Sequence, residues 1–335
     1  MSHPPIALIT GATSGIGAAV AGALAARGYR LLITGRDGAR GRAAEQDLLR
    51  RGATAVTFLP TDHASMEATD QLVEHIRSHT DVLDLLVANA AVMPLAPTRT
   101  SEGLEPEIAV DVLGVTTLVD GLLPLLSAAP RARVVLVTSD AATRFPVGIT
   151  DDPWQARRAA PVRAYAKAKR WKMHLATAYA EELYPQGVVV HAASPGPAWT
   201  SMTRALTRHA LGVPAPLWWI IRGVQRTQRP ERAAGCVLRA ATDPALARCT
   251  GQLTRGTHQT RPIPTDPTIA AEALTAARRL TAASRETRSD GLLKPQAHGA
   301  RYDRTALRDV TLTDPHRGPS AQVSSPPAGD AHAGG

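Results

Sequence analysis

Short runs of consecutive apolar residues alternate with longer stretches in which apolar positions recur every three or four residues. The runs Ile6–Thr10, Leu31–Thr34, Ala55–Leu59, Leu83–Ala88, Val134–Thr138 and Val188–Ala192 predict strands. Most lack polar interruptions, as expected of strands covered on both faces. Helical periodicity marks 15–27, 38–51, 65–78, 102–127 and 163–184, and this alternation predicts a parallel sheet flanked by helices. Pro106 and Pro124 predict breaks or bends in the fourth helix. A helix near 231–241, a short strand Gln252–Thr254 and an amphipathic helix over 268–286 complete a doubly wound α/β domain of about seven strands, spanning 1–286. Beyond Thr287 the pattern is lost. Residues 287–335 read as a disordered tail, with a weak helix around Arg304–Val310.

A hydrophobic fraction of 44% with 20% charged residues in 335 suits one large domain with a real core. No apolar run approaches the roughly 20 residues of a membrane span. A strand-like run starts as early as Ile6, without a basic-then-apolar leader, and only two cysteines occur, Cys236 and Cys249. A cytoplasmic protein without a disulfide framework is expected. The net charge of +9 would suit nucleic acid, but 34 of the 38 basic residues are arginine and only four are lysine. They are scattered without blocks or aromatic interleaving, the mark of coding bias, so no nucleic-acid partner is expected.

Thr10-Gly11-Ala12-Thr13-Ser14-Gly15-Ile16-Gly17 joins the first strand to the first helix. Gly11 permits a tight turn, while Gly15 and Gly17 let backbone approach a pyrophosphate at the helix N-terminus, where free N–H groups favour anions. Tyr165 and Lys169 stand four apart on a predicted helix and therefore share a face. A neighbouring ammonium lowers a phenol's pKa, the tuning that acid–base chemistry needs. Three of the four lysines lie at 167, 169 and 172, where arginine bias makes a lysine informative. Ser139 ends the fifth strand.

The Thr-Gly-x-x-x-Gly-x-Gly spacing, together with Ser139 and Tyr165-x-x-x-Lys169, resembles the short-chain dehydrogenase/reductase family over about residues 4–285. The long Ser139-to-Tyr165 interval and the C-terminal Arg-Arg-Leu helix resemble its retinol-dehydrogenase-like branch. The resemblance implies a Rossmann-type fold, a nicotinamide dinucleotide bound at Gly11, Ser14, Gly15, Ile16 and Gly17, and an oxidoreductase. It implies that Tyr165 transfers a proton to or from the substrate oxygen, Ser139 polarises that oxygen, and Lys169 binds the nicotinamide ribose. Gly35 stands where NAD-selective members carry Asp, and Arg36 can pair with a 2′-phosphate, so NADP (NADPH) is expected over NAD. Arg40 and Arg42 could assist. By the same resemblance Asp62 holds the adenine amino group and Asn89 lies beside the adenosine ribose. Pro195, Gly196 and Thr200 position the nicotinamide carboxamide. One departure is Asp111 at the usual position of a catalytic Asn that organises a water beside the lysine. Either the relay tolerates Asp, with a shifted pH optimum, or proton supply is impaired.

Substrate contacts are expected from 141–161 and from a lid over 197–229. The lid holds Leu211, Leu217, Trp218, Trp219, Ile220 and Ile221, with Arg204, Arg208, Arg222, Arg226 and Arg229 and no acidic residue. It suits a bulky hydrophobic carbonyl or alcohol, with an acidic or carrier-bound substrate as an open variant. Coding-bias arginines around a buried helix and a peripheral membrane contact are the alternatives. The resemblance implies a homodimer or homotetramer. A cofactor-binding but catalytically silent regulator is the rival to an enzyme, supported by Asp111 alone.

Overall fold

The computed structural model describes residues 4–144, 161–196, 198, 200–208, 214–256 and 259–289. The chain runs β1 (Ile6–Ile9), α1 (Gly15–Ala25), β2 (Arg30–Gly35), α2 (Gly38–Arg50), β3 (Ala55–Pro60), α3 (Met66–His79), β4 (Leu85–Ala88) and α4 (Pro106–Ala128). It continues through β5 (Arg133–Val137), α5 (Ala141–Arg144), α6 (Pro161–Leu183), β6 (Val189–Ser194), α7 (Ser201–Ala205), α8 (Ala215–Thr227), α9 (Pro230–Thr242), β7 (Gln252–Arg255), β8 (Gln259–Pro262) and α10 (Pro267–Ser289).

The strands order as β3-β2-β1-β4-β5-β6-β7-β8, all parallel except the β7–β8 pair. Side-chain alternation builds a separate core on each face. Ile6, Leu8, Val134 and Leu136 point to one side, where Leu72, Leu118, Trp171 and Leu274 from α3, α4, α6 and α10 cover them. Ala7, Ile9, Val135 and Val137 point to the other, against Val20, Leu24, Leu48 and Val237 from α1, α2 and α9. β1 pairs with β2 on one side and β4 on the other. Strand order reverses there, and a doubly wound sheet opens a crevice at its carboxyl edge.

Three expectations change. The sheet has eight strands, because β8 is an exposed edge carrying Arg261 and Pro262, with no apolar signal to find. Pro106 begins α4 and Pro124 sits inside it without ending it; a proline at the first helical position lacks an N–H that no bond needs. α4 is therefore a continuous 23-residue helix whose most apolar 18-residue stretch has a mean hydropathy of 1.7, long and apolar enough to cross a membrane. Glu107, Asp111 and Asp120 interrupt its apolar run in the sequence, which hides that length. Here 78% of its most apolar stretch is buried, as in the core helix of a layered fold. The tail at 290–335 lies outside the described residues; α10 itself runs to Ser289, past the expected end at 286. α10 packs across α6 and α4, where Arg278 bridges Asp120 and Glu182, and reaches α3, where Arg288 pairs with Asp70.

Among the described residues, three histidines are buried in neutral form. Burial holds His63, His174 and His191 at about 4, and His191 uses both ring nitrogens, on Leu246 O at 3.1 Å and Gln252 N at 3.3 Å. Burial pushes Glu107 the other way, up to about 7. As pH falls from about 6.5 to 4, the unfolded chain takes up protons on three histidines that the fold refuses, while the folded chain gains one at Glu107. Stability should therefore fall on acidification through this window with a net linkage of about two protons. Urea unfolding midpoints at several pH values check this; midpoints that stay constant from pH 6.5 to 4.5 would contradict it.

Candidate active site

The crevice at the carboxyl edge of β1 is lined by the glycine turn. Gly11 and Gly15 take left-handed φ values of 66° and 59°, which side chains disfavour. Neighbouring strands hold the turn. Gly11 N donates to Thr34 Oγ1 at 3.2 Å, Asn89 Nδ2 donates to Thr10 O at 2.8 Å, and Ala90 N donates to Thr10 Oγ1 at 2.9 Å. Gly17 is obligatory: a Cβ there would lie 2.4 Å from Gly11 O and 2.5 Å from Asn89 Nδ2. Ser14 is exposed at the N-cap of α1, makes no side-chain cap, and no acidic residue occupies the first turn. A helix end with free N–H groups beneath a bare backbone fits a pyrophosphate.

The end of β2 abuts the glycine turn. A Cβ at Gly35 would stand 2.7 Å from both Thr13 Oγ1 and Thr13 Cγ2. The glycine turn thus occupies the space that a ribose-binding Asp at 35 would need. Arg36 follows, exposed and adjacent. Arg40 pairs with Asp37 at 3.2 Å, which also caps α2, so Arg40 is already engaged. Asp62 is exposed after β3, its Oδ1 accepting from Ala64 N at 3.1 Å. Asn89, expected beside a ribose, commits its amide to the turn carbonyls.

The catalytic group converges from three elements. α6 carries Tyr165 and Lys169, with the Lys169 ammonium 5.5 Å from the centre of the Tyr165 ring. Ser139, at the end of β5, hydrogen-bonds Tyr165 and accepts from Ala141 N at 3.3 Å. α4 brings Asp111 on a π-helical segment, Ala109–Leu113, flanked by ordinary helix. This widened turn places a fully buried carboxylate against α6. Lys169 Nζ donates to Asp111 Oδ1 at 2.8 Å and to Val137 O at 3.1 Å, which leaves one of its three N–H bonds for a ligand. Thr138 Oγ1 donates to Lys169 O at 3.0 Å and ties the helix to the sheet.

Lys172 was not singled out as a functional residue, yet it is wholly buried and donates to the same Asp111 oxygen at 3.0 Å. Its signal was present: a rare lysine three positions from Lys169. Burial pulls its pKa to about 8, with Asp111 opposing and Lys169 adding to the fall. Burial also works against charge on Lys169, but Asp111 and Tyr165 outweigh it and raise its pKa. The expected lowering of the Tyr165 pKa is corrected. Burial dominates and raises it, Asp111 raises it further, and the downward pulls of Lys169 and Ser139 do not overcome them.

Beside this group, Ser194 Oγ donates to Asp140 Oδ1 and Arg255 pairs with Asp140, both at 2.6 Å, fixing the loop that carries Ser139. Sequence reading missed this support because Arg255 lies on β7, 115 positions away. Pro195 and Gly196 (φ 73°) then turn the chain, and Thr200 caps α7 by accepting from Thr203 N. The Thr200 methyl lies 3.3 Å from where a Gly15 Cβ would be, so this segment folds back over the glycine turn. Pro197, Trp199 and Leu211 lie outside the described residues, as does 145–160 of the expected pocket segment. α8 is no buried helix: Trp219 is 66% and Ile220 63% exposed. Arg222 joins α8 to α7 through Thr203 O at 2.8 Å and stacks on Trp218.

A parallel α/β sheet with a glycine cradle at its switch point and a Ser, Tyr and Lys converging beside it defines a dinucleotide-dependent oxidoreductase architecture. The model of the short chain dehydrogenase family matches residues 5–210, and the chain belongs to that family, whose members act on CH–OH and C=O groups. It is similar to Dehydrogenase/reductase SDR family member 13 of Bos taurus, 33% identical over 72% of this chain; the match spans 64% of that relative's length. It is also similar to Retinol dehydrogenase 13 of Homo sapiens, 30% identical over 77% of this chain and 78% of that protein. Among solved structures, a 3-oxoacyl (acyl-carrier-protein) reductase from Agrobacterium tumefaciens C58 with NADP bound superposes with a TM-score of 0.60. It is 25% identical, covering 75% of this chain and 92% of that one. Similarity extends to the retinol-dehydrogenase-like branch.

The cradle makes a direct test. Gly17→Ala should weaken nicotinamide dinucleotide binding at least tenfold, because its methyl must displace the Gly11 carbonyl and the Asn89 amide together. Fluorescence titration of NADPH measures it, and wild-type affinity in a folded variant would contradict the cradle.

Proposed function

We propose that this protein is an NADPH-dependent reductase of bulky, mainly hydrophobic ketones or aldehydes. The observation that carries the reading is the meeting of Tyr165, Ser139 and Lys169 beside the glycine cradle. NADPH supplies a hydride from nicotinamide C4 when bound. The chain's own residues do the rest: Gly11, Gly15 and Gly17 admit the pyrophosphate and Arg36 pairs with the 2′-phosphate. The remaining N–H of Lys169 is available to the nicotinamide ribose. Ser139 donates to the substrate carbonyl oxygen as negative charge builds there, and the Tyr165 hydroxyl delivers the proton that completes the alcohol. A phenol whose pKa is raised by burial is protonated at neutral pH, which suits a proton donor and hence reduction.

The closed Gly35 position and the exposed Arg36 support NADP over NAD. The exposed apolar side chains of α8, Leu217, Trp219 and Ile220, support a large apolar substrate. The names of two similar proteins, a retinol dehydrogenase and an acyl-carrier-protein reductase, are compatible with that class. Subunit pairing would have to use faces other than those of α4 and α6 that α10 covers. Free thiols at Cys236 and Cys249 accord with a cytoplasmic setting.

Two variants test the proposal in an assay at 340 nm against hydrophobic ketones, aldehydes and quinones. Tyr165→Phe should lower kcat by about 100-fold or more while NADPH affinity stays within about threefold. Arg36→Ala should raise KM for NADPH about 10- to 100-fold and leave NADH unaffected, as expected for loss of a charge-assisted pair. Undiminished turnover in Tyr165→Phe, or equal effects of Arg36→Ala on both cofactors, would contradict it.

A further inference from the structure

The buried charges at positions 111, 169 and 172 form a set whose balance bears on the reaction. Asp111 and Lys172 are both 0% exposed and Lys169 is 1% exposed. Both ammonium groups share one oxygen, Asp111 Oδ1, at 2.8 and 3.0 Å. Asp111 Oδ2 accepts no hydrogen bond among the described residues. A carboxylate facing Lys169 alone would form a neutral pair and cancel the field that this ammonium sends to Tyr165. Below about pH 8, where Lys172 holds its proton, Lys172 on the same oxygen gives the set one net positive charge, the value that a neutral side chain at 111 and a single lysine would give.

Lys169 and Lys172 lie three apart on one face of α6, so the helix delivers both to the π-helical turn of α4 without strain. The lysine-poor composition sharpens the point: a wholly buried lysine needs a partner, and here that partner is the catalytic lysine's own counter-ion.

We propose that Lys172 is a positioning residue of the active site, which offsets the charge of Asp111 so that Lys169 keeps a net positive field at Tyr165 and a free N–H for the nicotinamide ribose. The titratable groups of the neighbouring elements do not supply this compensation. From α4, Glu107 is a buried carboxyl held at about 7, and from the loop after β3, His63 is buried and neutral above about pH 4. Asp62, beside it, faces solvent. On α10, which packs across α6, Arg278 and Arg288 are engaged with Asp120, Glu182 and Asp70. β5 contributes a backbone carbonyl, Val137 O.

This inference rests on Tyr165 being the proton donor, and the test separates the two. Lys172→Met, Asp111→Asn and the double variant are made in the full chain, with Lys172→Gln as a second form should Met fail to fold. Three readings are taken: the pH profile of kcat, NADPH affinity by fluorescence, and ionisation of Tyr165 by absorbance at 295 nm against a Tyr165→Phe blank. Removing Lys172 alone should weaken NADPH several-fold at pH 7, as Lys169 is drawn wholly onto Asp111, and should abolish the decline in affinity that wild type shows as Lys172 loses its proton near pH 8. Asp111→Asn alone should lower the Tyr165 pKa, because it removes a buried negative charge beside the phenol. The double variant should bind NADPH at pH 7 close to wild type, without the step near pH 8. Profiles that coincide for wild type and Lys172→Met, or a double variant worse than both singles, would overturn the role of Lys172 while leaving Tyr165 intact. Loss of turnover that is not seen in Tyr165→Phe would instead remove the reading on which it rests.

Discussion

A carboxylate held between two ammonium groups in the core is the constraint around which this molecule is arranged. Ions without water need partners, and Asp111, Lys169 and Lys172 have chiefly one another. Satisfying them fixes the distance between α4 and α6 and, through Val137 O and the Thr138 hydroxyl, the height of both helices above the sheet. The π-helical turn at Ala109–Leu113 is the backbone's adjustment to that demand. Tyr165 and Ser139 then meet because they hang from elements already locked together.

The cofactor side is organised by contact with backbone rather than by charge. Gly17, Gly35 and the Asn89 amide let β1, β2 and β4 close on one turn, leaving the N-terminus of α1 bare. Thr200 folds over the same turn from the far strand. A cationic pocket wall and an uncharged cradle therefore abut along one crevice, one suited to a proton and ribose, the other to phosphates.

Much of this was legible in the sequence. The parallel sheet followed from unbroken apolar runs such as Val134–Val137, and the site from Tyr165, Lys169, Ser139 and the glycine spacing. Edge strand β8 was invisible because an exposed strand has no apolar face to show. The continuity of α4 was hidden because proline at a helix start resembles proline at a break, and because buried acids interrupt an apolar run. The pairing of Lys172 with Asp111, 61 positions apart, needs the third dimension, and so does the outcome for the Tyr165 pKa, since burial is not written in spacing.

The most direct measurement follows the hydride itself. Protein incubated with NADPH deuterated on either face of nicotinamide C4, and with bulky hydrophobic ketones, should place one deuterium on the carbinol carbon of a product, from one face only, detected by mass spectrometry. Tight NADPH binding with no label reaching any ketone, under conditions where another short chain dehydrogenase labels its own substrate, would contradict a working reductase and favour a silent cofactor-binding protein.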